Sequence, residues 1–153
     1  MSGTAEATGE TSATAYPFVL HEVVRFSDCD PLGHANNASY STYIEQARRG
    51  ILGVAFDECI LARVEINFRS SLEAGEALVV ESRCASVGTA SFVLEHRIVA
   101  EGRLVAEATT TVVSYDYEGA RSTPIPEGLL ERLKSGRADP GYEEHNSSNN
   151  IPA

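Results

Sequence analysis

Two different spacings of apolar residues follow each other in the first third of the chain. The segment "FVLHEVVRF", residues 18–26, is apolar and rich in β-branched side chains, which predicts a strand. From residue 40 the apolar positions recur at intervals of three and four, which predicts one amphipathic helix that ends near Gly53. This apolar stripe consists of Tyr40, Tyr43, Ile44, Ala47 and Ile51, whereas Glu45, Gln46, Arg48 and Arg49 are expected on the other faces.

The remainder of the chain has the pattern of long strands. Four segments, "ILARVEINF", "EALVVESRCASV", "SFVLEHRIVAEG" and "RLVAEATTTVVSYDY", are separated by short polar or glycine-containing turns at residues 73–75, 88–90 and 101–102. Short turns favour antiparallel neighbours. The segment "IPEGLLERLK" is compatible with a short terminal helix. The order of elements predicts an α+β fold, in which a curved antiparallel sheet of five to six strands wraps around one long helix.

The two ends of the chain contain little that could be buried. Residues 1–16 are mostly Thr, Ala, Gly, Ser and Glu, and residues 135–153 are equally poor in apolar side chains. Both segments are therefore predicted to be disordered tails. Residues 17–134 are expected to form a single domain, because a chain of 153 residues is of single-domain length.

The charge of the chain restricts its partners. A formal charge of −10 and a pI near 4.8 argue against nucleic acid, whose binding requires a basic surface. A local arginine cluster could still bind a small anion. The start of the chain lacks the pattern of a signal peptide, and no stretch has the length of a membrane helix. Three cysteines with neither a CxxC pair nor metal-ligand spacing predict a reduced, cytoplasmic protein without structural metal.

The segment "DCDPLGHANNASY", residues 28–40, lies between the first predicted strand and the helix. A helix N-terminus has free backbone N–H groups and a partial positive charge, and therefore binds anions or polarised carbonyl oxygens. Either Asn36 or Asn37 can cap the helix, and Gly33 permits a tight turn. Asp28 or Asp30 would then lie close to the helix N-terminus.

A carboxylate beside fixed N–H donors is the arrangement that acyl transfer requires. The carboxylate attacks a carbonyl carbon or activates water, and the donors stabilise the charge that develops on oxygen. An Asp before Pro and a pair of Asn residues are also ordinary residues of turns and helix caps, so these residues alone leave a purely structural role open.

Two longer segments resemble one family. Residues 24–48, "VRFSDCDPLGHANNASYSTYIEQAR", resemble the signature of hotdog-fold acyl-CoA thioesterases of the 4-hydroxybenzoyl-CoA thioesterase type: a strand that ends in Asp-x-Asp, a Gly-His-x-Asn-Asn turn and the central helix. Residues 67–116 resemble the strands of that family, including its Gly-x-x-Ser-Phe turn at residues 88–92 and the Gly-x-x-x-Ala step at residues 102–106. The resemblance covers about residues 19–133.

The resemblance implies a thioesterase that acts on an acyl-CoA, or on an acyl carrier protein thioester, without a metal or redox cofactor. It implies that Asp30 is the nucleophile or general base, that the amide of Asn37 is the oxyanion donor, and that Gly33 and His34 shape the pocket. It also implies a homodimer or homotetramer with each site at a subunit boundary. Candidates for binding the CoA phosphates are Arg69, Arg97, Arg103 and Arg121 and the amides of the turn Gly88 to Ser91.

Other assignments use some of the same residues. Cys29 with His34 could form a thiolate pair, although Cys29 should point away from the aspartates along an extended chain. Glu45 could be the base in place of Asp30, or could only form a solvated pair with Arg48. His96, between Glu95 and Arg97, is expected at the surface or at an interface. A hotdog hydratase or dehydratase and a non-catalytic acyl-CoA-binding protein are the alternative functions.

Overall fold

The computed structural model describes residues 15–137 as one antiparallel sheet, a long helix and a short terminal helix. The predicted tails, residues 1–16 and 135–153, lie almost entirely outside the described residues. Two 3-10 turns, Phe26–Asp28 and Gly53–Glu58, flank the long helix. The elements are β1 (Phe18–Val23), α1 (Asn37–Leu52), β2 (Cys59–Phe68), β3 (Ala77–Val87), β4 (Ser91–Ala100), β5 (Arg103–Asp116), β6 (Arg121–Ser122) and α2 (Glu127–Ser135).

The sheet has the strand order β1-β3-β4-β5-β2, and the two-residue strand β6 pairs with β5. Every pair of neighbouring strands is antiparallel. Helix α1 packs on the concave face, mainly against β1 and β3. A curved sheet wrapped around one central helix is the hotdog fold, so the predicted fold is confirmed.

The helices follow the predicted pattern. Helix α1 has 16 residues, its apolar stripe is buried, and Gly53 ends it with a φ of 54°. The 3-10 turn Gly53–Glu58 continues the chain directly from its last residue. Helix α2 confirms the short terminal helix and ends at Gly136, which is left-handed. None of the helices within residues 15–137 combines the length and the apolar character needed to cross a membrane.

The first strand is shorter than predicted. It ends at Val23, and residues 26–28, which the pattern assigned partly to the strand, form a 3-10 turn. The Asp28 carboxylate causes this turn, because it accepts hydrogen bonds from both the backbone amide and the side chain of Arg25. Such a bond from a side chain to the nearby backbone competes with strand pairing. The turn brings the following residues over the end of the sheet.

The core consists of two apolar clusters separated by polar side chains. One cluster lies near the start of α1 and includes Ile44 and Ile98, and the other lies near its end and includes Ile51 and Leu94. Between them, three side chains on the concave face of neighbouring strands form a buried polar layer: Ser82 on β3, His96 on β4 and Thr110 on β5.

The buried polar layer corrects two expectations from the sequence. His96 was expected at the surface, but strand alternation places its ring inward, where Nδ1 lies 2.7 Å from Ser82 Oγ and Nε2 lies 3.0 Å from Thr110 Oγ1. Arg48, expected on a polar face of the helix, is also buried. Burial and the charge of Arg48 lower the pKa of His96 to about 3, so the ring is neutral.

Candidate active site

Asp28 connects the end of β1 to helix α1. Its side chain is buried and accepts hydrogen bonds from Arg25 and from the Tyr43 hydroxyl, the latter at 2.9 Å. Its backbone carbonyl accepts two more, from the amide of Asn36 at 2.8 Å and the hydroxyl of Ser39 at 2.7 Å. Asp28 is therefore used for structure, and its carboxylate points away from the pocket described below.

The next five residues form a compact turn that presents Asp30. The Asp30 amide donates to the carbonyl of His34 at 2.9 Å, and the Asp30 carbonyl accepts from the amide of Gly33 at 3.0 Å. One carboxylate oxygen, Oδ1, accepts from the amide of Leu32 at 2.9 Å. Gly33 has a φ of 85°, a conformation that favours glycine. The turn fixes the Asp30 side chain and leaves it partly exposed.

The first turn of α1 combines a side-chain cap with a backbone amide that makes no hydrogen bond in the described part of the chain. Asn36 is the N-cap, and its side-chain oxygen accepts from the amide of Ala38 at 2.9 Å. Ser39 donates its amide to the carbonyl of Asn36. Within residues 15–137, the amide of Asn37 has no hydrogen-bond acceptor. The sequence left the choice of cap between Asn36 and Asn37 open, and the structure assigns the cap to Asn36 and the unbonded amide to Asn37.

A pocket of about 390 Å³ lies where the turn, the start of α1 and the end of β2 meet. Tyr40 and Phe68 form its aromatic wall, with their rings edge to face and their centroids 5.0 Å apart. The Tyr40 hydroxyl lies 3.4 Å from the carbonyl of Ser70, on the loop after β2. The lining residues are Asp30, His34, Ala35, Asn37, Tyr40, Phe68, Arg69, Ser70 and Ser71.

Arginine side chains hold the loop after β2 and bring positive charge near the pocket. Arg103 donates to the side chain of Ser70, to the carbonyl of Ser71 and to the carboxylate of Glu76. Arg69 lines the pocket itself and forms an exposed ion pair of 3.0 Å with Glu107. Both cations already have a carboxylate partner, so an anionic ligand would share or replace these contacts.

Asp28 and Asp30 differ in the groups that surround their carboxylates. Burial opposes the ionisation of Asp28, but the hydrogen bonds from Arg25 and Tyr43 outweigh it and hold the pKa of Asp28 below its usual value. The Tyr43 pKa is raised by burial and by the Asp28 carboxylate. Asp28 is thus a structural acceptor that ionises more readily than a free carboxyl group, whereas Asp30 has a carboxylate oxygen free to face the pocket.

The structure brings together some of the residues expected in the site and leaves others elsewhere. Asp30, His34, Asn37 and Arg69 line the pocket, and Gly33 lies in its turn. The turn Gly88 to Ser91 follows β3, which starts near the pocket and runs away from it, so this turn lies at the opposite end of the sheet. Arg97 is on the convex face, where it forms an ion pair of 2.5 Å with Glu81. Within one chain, Gly88, Ser91 and Arg97 are therefore not part of the pocket.

The alternative assignments receive less support from the geometry. The Cys29 thiol lies 3.6 Å from the carbonyl of Arg25, and its side chain packs against the first core cluster instead of facing the pocket. Glu45 is exposed on α1 and is absent from the pocket wall. The sequence did not reveal that Phe68, Ser70 and Ser71 reach the pocket, because only the pairing of β2 with β5 places them there.

The comparisons with known proteins identify the family of the chain. The family model of the thioesterase-like superfamily matches residues 24–133. The chain therefore belongs to the thioesterase-like superfamily. No curated protein sequence matches it.

Several solved structures have a fold similar to that of this chain. A thioesterase from Thermus thermophilus, solved with coenzyme A and Zn, is 30% identical, with a TM-score of 0.73 over 79% of this chain and 95% of that chain. A predicted thioesterase from Bacillus stearothermophilus is 21% identical, with a TM-score of 0.72 over 81% and 98%. The protein SAV2348 from Staphylococcus aureus, in complex with CoA, is 16% identical, with a TM-score of 0.72 over 78% and 82%. The last two show similarity of fold alone.

Proposed function

We propose that the protein is an acyl-CoA thioesterase that hydrolyses its substrate to a free acid and CoA. The observation that carries this proposal is the meeting of two groups in one pocket: the Asp30 carboxylate and the unbonded amide of Asn37 at the N-terminus of α1. A carboxylate and a fixed N–H donor are the two groups that thioester hydrolysis requires. Membership of the thioesterase-like superfamily supports the same reaction.

In the proposed reaction, the thioester carbonyl oxygen accepts a hydrogen bond from the Asn37 amide. The partial positive charge of the helix N-terminus adds to the stabilisation as negative charge develops on that oxygen. As general base, Asp30 takes a proton from water while the water oxygen bonds to the carbonyl carbon. The C–S bond then breaks, and the CoA sulfur leaves as a thiolate that takes up a proton.

Asp30 could equally act as the nucleophile. Its carboxylate oxygen would then bond to the carbonyl carbon, the C–S bond would break, and water would hydrolyse the resulting mixed anhydride. The turn supports both routes, because Leu32 holds only Oδ1 of Asp30 and the second oxygen carries no hydrogen bond within the described residues. Single-turnover reactions in H₂¹⁸O distinguish the routes. The general-base route places ¹⁸O in the released acid, whereas attack of water on the Asp30 carbon of the mixed anhydride places it in the Asp30 side chain.

The proposed substrate class rests on two supports. Two of the structural neighbours were solved with CoA. Arg69 at the pocket and Arg103 behind it are cations that could meet the phosphates of the ligand after exchanging their carboxylate partners. An acyl carrier protein thioester presents the same phosphopantetheine thioester, so both carriers belong in the assay.

The three cysteines are free thiols, which supports a reducing, cytoplasmic setting.

We also propose that the protein works as a homodimer joined through β2. This ten-residue strand is at the edge of the sheet, and within residues 15–137 no strand pairs with its outer side. Its concave-face residues Leu61, Val64 and Phe68 are apolar and exposed. A long, apolar, unpaired edge favours pairing with another chain. A second copy related by a twofold axis through the middle of β2 would extend the sheet and cover these residues.

The dimer would also bring the predicted CoA-binding turn of the second copy towards the pocket of the first. A twofold axis perpendicular to the sheet reverses the direction of every strand in the second copy. The turn Gly88 to Ser91 of that copy would then lie at the same end of the extended sheet as the first chain's Asp30 pocket. In this arrangement, Gly88 and Ser91 would contribute their amides to CoA binding across the subunit boundary.

The test is a thiol-release assay over a panel of aromatic and aliphatic acyl-CoAs and acyl carrier protein thioesters. The wild type should hydrolyse at least one member of the panel. Asp30→Asn should fold normally but hydrolyse it at least about 100-fold more slowly, which is on the order of the effect of removing a catalytic base. Asp57→Asn, which makes the same change at an exposed aspartate outside the pocket, should keep the rate. Undiminished turnover by Asp30→Asn would remove Asp30 from the mechanism. Tight acyl-CoA binding without hydrolysis would favour the binding protein.

A further inference from the structure

Arg48 is a largely buried cation that has no hydrogen-bonded acceptor within residues 15–137. Its side chain is on α1 and the residue is only 7% exposed, beside the buried polar layer that separates the two core clusters. Across the described residues, the guanidinium group makes neither a hydrogen bond nor an ion pair. Burial lowers the pKa of Arg48, and the charge of Glu45 in the same chain opposes this shift in part, without forming an ion pair with Arg48. Buried charges in proteins normally have a hydrogen-bonded partner.

Arg48 lies on the flank of the helix that faces β2. Tyr40, Ile44 and Arg48 follow each other at i, i+4 and i+8, so they form one line along the helix. The first member of this line, Tyr40, contacts Phe68, which is the last residue of β2. Arg48 is therefore further along the same flank, above an earlier part of β2.

The position of Arg48 along β2 follows from the buried polar layer. Arg48 is close enough to His96 for its charge to act on the ring, and His96 bonds to Thr110. Thr110 is paired with Val64, near the middle of β2, which spans residues 59–68. Arg48 thus lies level with the middle of the free edge strand. The twofold axis proposed for the dimer passes through the same level.

Glu45 completes a self-complementary pattern on this flank. It is exposed and lies one turn before Arg48, on whose charge it acts only at a distance, and it forms no ion pair with any residue in the described range. In an isologous interface, residue i contacts residue j of the second copy, and j contacts i. An axis that crosses the helix flank between residues 45 and 48 would bring each Glu45 towards the Arg48 of the other copy. The two residues would then be paired twice.

We propose that Glu45 and Arg48 form two reciprocal ion pairs across the twofold axis of the homodimer, so that the buried Arg48 gains its acceptor only when a second copy binds. This inference rests on the proposed homodimer and is independent of the proposed hydrolysis. It makes the pairing of Glu45 with Arg48 a determinant of self-association, in addition to the edge of β2. An acceptor on a bound acyl group is the competing explanation for the unpaired guanidinium.

The first test changes only the exposed member of the pair. Glu45→Arg and Glu45→Gln should fold normally and should raise the dimer dissociation constant, by at least tenfold and by about threefold respectively, measured by analytical ultracentrifugation of the full chain. The effect should weaken with added salt, which screens partly exposed charges. Glu131→Arg, the same change at an exposed position on α2, should leave dissociation unchanged. A monomeric wild type, or unchanged dissociation in both Glu45 variants, would overturn the proposal.

The second test uses both members. Glu45→Arg and Arg48→Glu should each associate poorly alone, but a mixture should form heterodimers, because one chain then carries two cations and the other two anions. The double variant should dimerise as well as the wild type. If Arg48→Glu does not fold, the dimer dissociation constants of the two Glu45 variants decide whether the proposal holds. Normal dimers of folded Arg48→Glu with a raised KM for selected acyl-CoAs would instead assign Arg48 to the ligand. Thiol release in the same samples reports on hydrolysis separately.

Discussion

The Tyr43 hydroxyl donates a hydrogen bond of 2.9 Å to the buried carboxylate of Asp28, and this bond joins the second turn of helix α1 to the 3-10 turn that follows β1. The carbonyl of the same aspartate holds Asn36 and Ser39 at the start of the helix. The position of the free Asn37 amide relative to Asp30 therefore depends on Asp28. An aspartate outside the pocket positions both groups of the proposed reaction.

Removing this hydroxyl should destabilise the protein in a pH-dependent way. Tyr43→Phe should lower the free energy of unfolding by about 1.5–3 kcal/mol at pH 7, the range for a hydrogen bond to a charged group. Folding lowers the pKa of Asp28, so this stabilisation is present above the unfolded pKa and is lost as the pH falls through the folded value. The difference between variant and wild type should shrink below about pH 4. Urea unfolding at both pH values measures it.

A matched control for this prediction is Tyr115→Phe. The Tyr115 hydroxyl makes no hydrogen bond within the described residues, and its ring packs on Tyr117. Its removal should change the free energy of unfolding by less than about 0.5 kcal/mol. Equal losses in the two variants would show that the Tyr43 effect does not come from the bond to Asp28.

Gly33 should be required for the turn that presents Asp30. Its φ is 85°, and a Cβ built there would meet nothing within 4 Å, so the cost of Gly33→Ala is conformational and not steric. We expect a loss of about 1–2 kcal/mol in the free energy of unfolding. Gly102, in the β4–β5 turn, also has a positive φ, of 74°, and open surroundings, so Gly102→Ala should lose a similar amount. Only Gly33→Ala should also lower thiol release by tenfold or more; equal activity in the two would contradict a role for the turn.

The sequence predicted the helices and strands whose pattern of apolar residues is contained within a single element. The stripe of α1 specifies which of its apolar side chains face inward, and the turn residues specify antiparallel neighbours, whereas the inward position of His96 on β4 was not predicted. The shortening of β1 was not predictable from periodicity, because one side chain, Asp28, competes with strand pairing for the backbone amide of Arg25. The hydrogen bonds of the Asp28 carboxylate therefore end β1 earlier than its β-branched sequence predicts.

The residues that line the candidate pocket were predictable where they are close in the chain and not where tertiary contacts bring them together. The segment from Asp30 to Asn37 carries its own turn and cap, and its motif is specific. Phe68 reaches the pocket only because β2 pairs with β5 at the edge of the sheet. Periodicity placed Arg48 on a polar face because a charged side chain is usually solvated, and its burial follows from the packing of α1 on the sheet.

The aromatic wall should control which acyl groups are accepted. Phe68 packs edge to face on Tyr40 above the pocket, so Phe68→Ala removes apolar contact with a bound acyl group. We expect kcat/KM for the best aromatic or long aliphatic acyl-CoA to fall about tenfold, equivalent to about 1.4 kcal/mol of lost binding, and that for acetyl-CoA to change little. Phe68→Leu should give an intermediate value. A uniform fall for all substrates would indicate damage to the chemical step instead.

His96 should make the protein less stable in mild acid. The ring is buried between Ser82 and Thr110 and remains neutral down to a pKa of about 3, whereas in the unfolded chain it gains a proton near pH 6.5. Between these values the unfolded state binds more protons than the folded state, so stability decreases as the pH falls, with a slope of up to about 1.4 kcal/mol per pH unit.

The variant His96→Gln tests this origin of the pH dependence, because glutamine keeps a donor and an acceptor but does not titrate. Its absolute stability should be lower at pH 7, where the two hydrogen bonds of the ring are replaced by less well-fitted ones. Its free energy of unfolding should then vary less than that of the wild type between pH 6.5 and pH 4. His21→Gln, the same change at an exposed histidine on β1, should retain the wild-type slope. Parallel curves for wild type and His96→Gln would show that the ring is protonated in the folded protein, with Arg48 and the apolar clusters tolerating a second buried cation.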